Sequence, residues 1–137
     1  MAEARRLHVV LTPAPNAELE AARAVEELAE GLGFLRDTLD EVKLAVVEAC
    51  LNALEYSGGR VDVELTAHSD APPRIEIEVT DRGPGFDPAA VPPPRLENKL
   101  HASRKRGWGL ELMRRLMDRV EIASRPGRTQ VRMVRSR

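Results

Sequence analysis

The 137-residue sequence lacks several features that mark common functional classes. Its single cysteine, Cys50, can neither close an intramolecular disulfide nor supply a zinc cluster. Aromatic residues make up only 3% of the chain, so stacking platforms for single-stranded nucleic acid are not expected. The formal net charge of −1 gives no overall attraction to nucleic acid or to an anionic membrane.

Long apolar runs are also missing. No stretch approaches the roughly 20 residues that span a bilayer, and the first residues lack the apolar segment of a signal peptide. Together with the single cysteine, this pattern predicts a soluble, cytoplasmic protein. The length and the 42% share of hydrophobic residues predict one domain, residues 1–137, with its own core.

Apolar periodicity predicts the element order β-α-α-β-β-loop-α-β-β. Asn16 is expected to cap the first helix, with Glu18 and Glu20 in its first turn, and Gly31 and Gly33 are expected to end it. The predicted boundaries are a first strand at Leu7–Leu11, a second helix from Thr38 or Asp40 to Ser57, alternating strands at 61–66 and 75–80, and final strands at Val120–Ser124 and Thr129–Val134. This order predicts an α+β two-layer sandwich, with helices on one face of a mixed, mostly antiparallel sheet.

Glu48 and Asn52 are four residues apart in the second predicted helix, so they point to the same side. An amide oxygen suits Mg²⁺, which keeps several waters and binds phosphate oxygens, and a glutamate one turn away could accept a proton. The alternative is a solvated acidic helix face that also includes Glu41 and Glu55.

Asp81 ends the strand at 75–80 and is followed by Gly83 and Gly85. The two glycines would let the backbone approach a flat ligand, and a carboxylate beside them can accept a hydrogen bond from an exocyclic amino group. Asp-x-Gly is equally typical of an ordinary turn, and both interpretations stay open.

Gly107 and Gly109 open the last predicted helix, where free N–H groups and the helix dipole favour anions. A long loop rich in proline and basic residues precedes them. The loop is interpreted either as a mobile lid over a triphosphate or as a solubilising segment. Trp108, between the two glycines, is expected to pack in the core rather than contact a ligand.

The three motifs, Glu48-Ala-Cys-Leu-Asn52, Asp81-Arg-Gly83-Pro-Gly85 and Gly107-Trp-Gly109-Leu110, resemble those of the GHKL superfamily of ATPases and kinases, which has the Bergerat nucleotide-binding fold. The short single-domain form resembles the anti-sigma factor serine kinases of bacterial partner-switching systems. The resemblance runs from the first strand to Thr129. One departure is Tyr56, because many members carry histidine four residues after the motif asparagine.

The resemblance implies a role for each motif. Glu48 would be the general base and Asn52 the Mg²⁺ ligand, while Asp81 would bind the adenine amino group. The segment at about 87–106 would be the ATP lid. Further nucleotide contacts are implied at Gly83, Gly85, Arg106, Gly107, Gly109, Leu110 and Thr129.

The function implied is that of an ATP- and Mg²⁺-dependent protein serine/threonine kinase that acts as an anti-sigma factor. It would phosphorylate a STAS-type anti-anti-sigma protein, sequester a sigma factor and form a homodimer, without contacting nucleic acid or membrane. Two alternatives remain: an ATP-gated binding module without phosphotransfer, and an interaction domain that binds no nucleotide.

Overall fold

The computed structural model describes residues 4–57, 59–84, 89 and 106–137, and only the backbone of 106–108. Five strands and three helices follow the predicted order. The strands are β1 Ala4–Leu11, β2 Val61–His68, β3 Arg74–Asp81, β4 Arg119–Arg125 and β5 Arg128–Ser136. The helices are α1 Glu18–Ala29, α2 Arg36–Ser57 and α3 Arg106–Leu116.

The strands form one sheet in the order β1-β2-β3-β5-β4. Every pairing among the described strands is antiparallel. Because β5 lies between β3 and β4, residues distant in the chain become neighbours. Asp81 at the end of β3 therefore stands opposite Thr129 near the start of β5.

The core lies between the sheet and the helices. Strand alternation places one apolar row of each central strand on the helix side, where water is excluded. The fully buried members include Val61, Val63 and Leu65 of β2, Ile75 and Ile77 of β3, and Met133 of β5. They pack in one cluster with Val25 and Leu28 of α1, Val42 and Val46 of α2, and Met113 of α3. The predicted α+β sandwich with helices on one face is confirmed.

Two predicted helix starts are wrong. Asn16 does not cap α1: it has φ of +63°, Ala17 takes the cap position, and no side chain makes a cap hydrogen bond. Helix α2 begins at Arg36, before Thr38, because the carbonyl of Leu35 already accepts a hydrogen bond from the Leu39 N–H at 2.9 Å.

All five strands extend beyond their predicted bounds, and β1 and β5 extend the furthest. β1 begins at Ala4, which pairs with His68, and β5 reaches Ser136, which pairs with Arg74. Pairing across the sheet therefore sets these ends. The predicted lid and Gly85 lie outside the described residues, apart from Ala89 and Arg106, and Arg106 is the first residue of α3.

Candidate active site

The polar face of α2 is directed into the molecule at Asn52. This side chain is only 4% exposed, whereas Glu48, one turn earlier, is half-buried and Glu55 is exposed. The alternative of a solvated acidic face therefore fits Glu55 but is wrong for Asn52. A buried amide needs a function or well-placed partners, because its desolvation is costly.

Asn52 lies directly against the first turn of α3. A Cβ added at Gly109 would come within 2.3 Å of Asn52 Nδ2 and within 3.2 Å of its Oδ1. Real Cβ atoms do not approach other heavy atoms so closely, so only glycine fits here without moving Asn52. The motif asparagine and the glycine that opens the last helix thus meet, although they are far apart in the chain.

Asp81 makes the turn contact that its sequence allowed, and its side chain is also buried. Its Oδ1 accepts a hydrogen bond from the Gly83 N–H at 2.9 Å, which is the expected turn chemistry. The side chain is nevertheless only 4% exposed, because it continues the inward-facing row of β3. A turn carboxylate at the surface would not be buried in this way. The binding interpretation stays a prediction.

Gly83 packs against the end of α2. A Cβ at this position would lie 2.7 Å from the carbonyl oxygen of Tyr56 and 2.9 Å from Cα of Ser57, which are both backbone atoms. Its own carbonyl accepts a hydrogen bond from the Gly127 N–H at 3.0 Å. Glycine is therefore required at 83 by close packing, and this packing fixes Asp81 beside the helix that carries Asn52.

Thr129 lies beside Asp81 on the neighbouring strand β5. It pairs with Asp81 across the strands and is 2% exposed. Its Oγ1 lies 2.7 Å from Oγ of Ser124, its partner on β4. Sequence reasoning missed Ser124 and the carbonyl of Tyr56. The signal for Ser124 was available, because a tight turn at 125–128 places residue 124 opposite residue 129.

Three polar side chains are buried within the part of the chain that the structure describes, and all three were predicted site residues: Asn52, Asp81 and Thr129. Leu110 is also buried, at 2%, but it packs in the hydrophobic cluster. Arg106 and Gly107 lie in the first turn of α3 together with Trp108. The structure describes only the backbone of these three residues.

The described residues fit a magnesium nucleotide better than a metal cage built from protein side chains. They include no group of three His, Cys, Asp or Glu side chains placed to hold a metal ion. Mg²⁺ is commonly bound through one or two protein oxygens together with waters and substrate phosphates, and Asn52 offers one such oxygen. The positive end of the α3 dipole beside it suits phosphate.

Thiol chemistry does not belong to this site. Cys50 is fully buried in the core between Glu48 and Asn52 along the chain. Burial, with a smaller contribution from the charge of Glu18, raises the pKa of its thiol to about 12. The thiol therefore stays protonated and unreactive at neutral pH. No helix within the described residues has the length and apolarity needed to cross a bilayer.

Two kinase sequences are similar to the chain over most of its length. It is 33% identical to serine-protein kinase RsbW of Halalkalibacterium halodurans over 110 residues, which cover 75% of the chain and 66% of that protein. It is also 33% identical to serine-protein kinase RsbW of Bacillus pumilus, over 74% of the chain and 68% of that protein. The chain thus spans about two thirds of the length of these relatives.

A solved structure supports the fold. The RsbU and RsbW domains of a Mycobacterium tuberculosis protein match with a TM-score of 0.67 and 20% identity, over 97% of this chain and 33% of that one. The family model for the histidine kinase-like ATPase domain matches residues 11–135 and so contains all three motifs. The chain therefore belongs to the histidine kinase-like ATPase domain family.

Proposed function

We propose that the protein is an ATP-dependent protein serine kinase that phosphorylates a STAS-type antagonist and sequesters a sigma factor. The observation that carries this proposal is the burial of Asn52, Asp81 and Thr129, which are distant in sequence, on the helix-covered side of the sheet. Family membership supports the ATP site, and the kinase relatives support the reaction. The sigma factor and its antagonist are inferred from the resemblance of the motifs.

Each buried group has a chemical task in this proposal. Asp81 accepts a hydrogen bond from the adenine amino group while Gly83, with Gly85, gives the base a flat floor. Thr129 supports the same end of the pocket. Asn52 would hold Mg²⁺, which would neutralise phosphate charge, and the N–H groups of the first turn of α3, at Gly107 and Gly109, would face the phosphates.

Glu48 would take the proton in the transfer step. Its half-buried side chain lies one helical turn from Asn52, so both side chains point to the same side of α2, where the proposal puts the phosphates. As the antagonist's serine oxygen bonds to the γ-phosphorus, the bond to the β-phosphate oxygen breaks, and Glu48 accepts the hydroxyl proton. Most of the rate enhancement would come from positioning and charge neutralisation. The segment at about 87–106 is proposed as the lid.

The test is transfer of labelled phosphate from ATP to a cognate STAS-type protein. Glu48→Gln should keep ATP affinity and reduce the transfer rate by about 10²–10⁴-fold, because it removes only the proton acceptor. Glu55→Gln, an exposed position two turns further along α2, is the matched control and should transfer at the wild-type rate.

Two outcomes would contradict the proposal. Wild-type protein that binds ATP but transfers no phosphate would be the ATP-gated binding module. A wild-type rate of phosphate transfer in Glu48→Gln would show that Glu48 is not the general base. The homodimer that the resemblance implies belongs to the same proposal, and sedimentation of the purified protein checks it.

A further inference from the structure

An arginine at the far end of β5 joins three elements of the site's scaffold. Arg135 lies on the same strand face as Thr129 and Met133, so it points toward the helices, and its side chain is only 22% exposed. Its Nη1 donates to Glu41 Oε2 of α2 at 2.9 Å and also to the carbonyl oxygen of Leu116, the last residue of α3. We call Arg135 and Glu41 the clamp.

The clamp lies at the end of α3 opposite to the candidate site. Along α2, Glu41 is about 16 Å from Asn52, and along α3, Leu116 is about 10 Å from Gly109, at 1.5 Å per residue. Helix α3 therefore meets α2 at both of its ends, in addition to the core packing of Leu110 and Met113. At one point Gly109 contacts Asn52, and at the other the terminal carbonyl is joined through Arg135 to Glu41.

The contacts at the two ends add to the core packing in fixing the direction in which α3 points. At Gly109 there is no room between the helices for a side chain, because even one added carbon would come within 2.3 Å of Asn52 Nδ2. The N–H groups and positive dipole end of a helix act only within its first turn, so a small tilt would aim them away from an anion. Asp118, whose Oδ1 is 3.8 Å from Arg135 Nε, extends the clamp into the connection after α3.

We propose that Arg135, held by Glu41, is a positioning residue that aims the first turn of α3 at the phosphates of the bound nucleotide. The inference rests on the proposed function, because it assigns a role within that ATP site. It differs from simple stabilisation in one respect. Loss of the clamp weakens phosphate binding selectively, whereas loss of stability alone leaves the affinity of the folded protein unchanged.

The experiment compares the affinities for ATP and adenosine by titration calorimetry. In Arg135→Gln, ATP affinity should fall at least tenfold while adenosine affinity changes less than twofold. Arg132→Gln is the matched control on the same strand. Its side chain is 45% exposed on the open face, beside Glu76 and Glu78, and the variant should bind both ligands as the wild type does.

A second variant keeps the test decisive if Arg135→Gln does not fold. Glu41 is 44% exposed, so Glu41→Gln should fold, and it should lower the ratio of ATP to adenosine affinity in the same direction. If both single variants fold, the loss of ATP affinity in the double variant should be smaller than the sum of the two single losses, because both act through one contact.

Unchanged ATP affinity in both variants, or equal losses for ATP and adenosine, would overturn the positioning role while leaving the proposed function intact. Wild-type protein that binds no ATP would overturn the proposed function and this inference together.

Discussion

On the helix-covered side of the sheet the polar residues of the candidate site are buried, whereas the open side carries ion pairs between partly exposed side chains. Asn52, Asp81 and Thr129 are at most 4% exposed. On the open side Arg132 reaches Glu76 at 3.0 Å, and Arg60 reaches Asp62 at 2.8 Å, with both arginines well exposed.

The two sides of the sheet differ in whether water reaches the polar side chains. A polar group without water must keep its hydrogen bonds, because leaving one unmade costs about 1–3 kcal/mol. An exposed ion pair loses little when it breaks, since water replaces the partner, and its contribution is about 0–1 kcal/mol. Substitutions on the two sides should therefore differ in their effect on stability even where the hydrogen-bond distances are similar.

The largest effect on stability is expected at Gly83. In Gly83→Ala the new Cβ would meet backbone atoms of Tyr56 and Ser57, which cannot rotate away. Overpacking of this kind costs about 1–3 kcal/mol, so the free energy of unfolding in urea should fall by about 2 kcal/mol. Gly59→Ala is the control, because its Cβ would meet nothing within 4 Å, and it should change stability by less than about 0.5 kcal/mol. Equal losses in the two variants would refute the close packing at Gly83.

A smaller effect is expected at Thr129. Thr129→Val keeps the shape of the side chain but removes the hydroxyl that lies 2.7 Å from Ser124 Oγ. The free energy of unfolding should therefore fall by about 1 kcal/mol. Thr80→Val is the matched change on the open face, where Gln130 Nε2 donates to the threonine hydroxyl at 3.3 Å. Water can replace that hydrogen bond, so the free energy of unfolding of this variant should remain close to that of the wild type. A larger loss of stability in Thr80→Val than in Thr129→Val would contradict the difference between the two sides of the sheet.

The smallest effect is expected from acid titration of the open face. Hydrogen bonds from Arg60, with a smaller one from His8, lower the pKa of Asp62 below its ordinary value of 3.8. A lowered folded-state pKa contributes stability above the unfolded value, and this stability is lost as the pH falls through the folded one. Asp62→Asn should thus be less stable than wild type by at most about 1 kcal/mol at pH 6, and the difference should shrink below pH 4. A difference that grows as the pH falls would have the wrong sign.

Prediction from sequence succeeded where a local pattern carries the information. Alternation in β2 and β3 gave the strands and their buried rows, and the spacing of Leu39, Val42 and Val46 gave the core face of α2. It failed at Asn16, because a residue type common at caps was placed by its surroundings in a left-handed conformation. The preference of a residue type for the cap position is weaker than the effect of how the chain before the helix packs.

The candidate site was predictable in its members but not in its arrangement. Asp81 and Gly83 were found from their spacing, yet both the turn and the binding interpretation fitted that spacing. The structure shows the turn hydrogen bond and buries the Asp81 carboxylate, and the binding interpretation stays a prediction. Arg135 carries no motif, so its contact with Glu41 emerged only once the strands and helices were packed together. Ser124 could have been found from the turn at 125–128, which places it opposite Thr129.

The sequence by itself determined the order of strands and helices, the face of each that is apolar, and the residue types available for nucleotide chemistry. These follow from periodicity and side-chain chemistry over a few neighbouring residues. Only the tertiary structure decided that Asn52 contacts Gly109 and that Asp81 pairs with Thr129. The insertion of β5 between β3 and β4, and the packing of α3 on α2, depend on contacts between distant segments that no local pattern specifies.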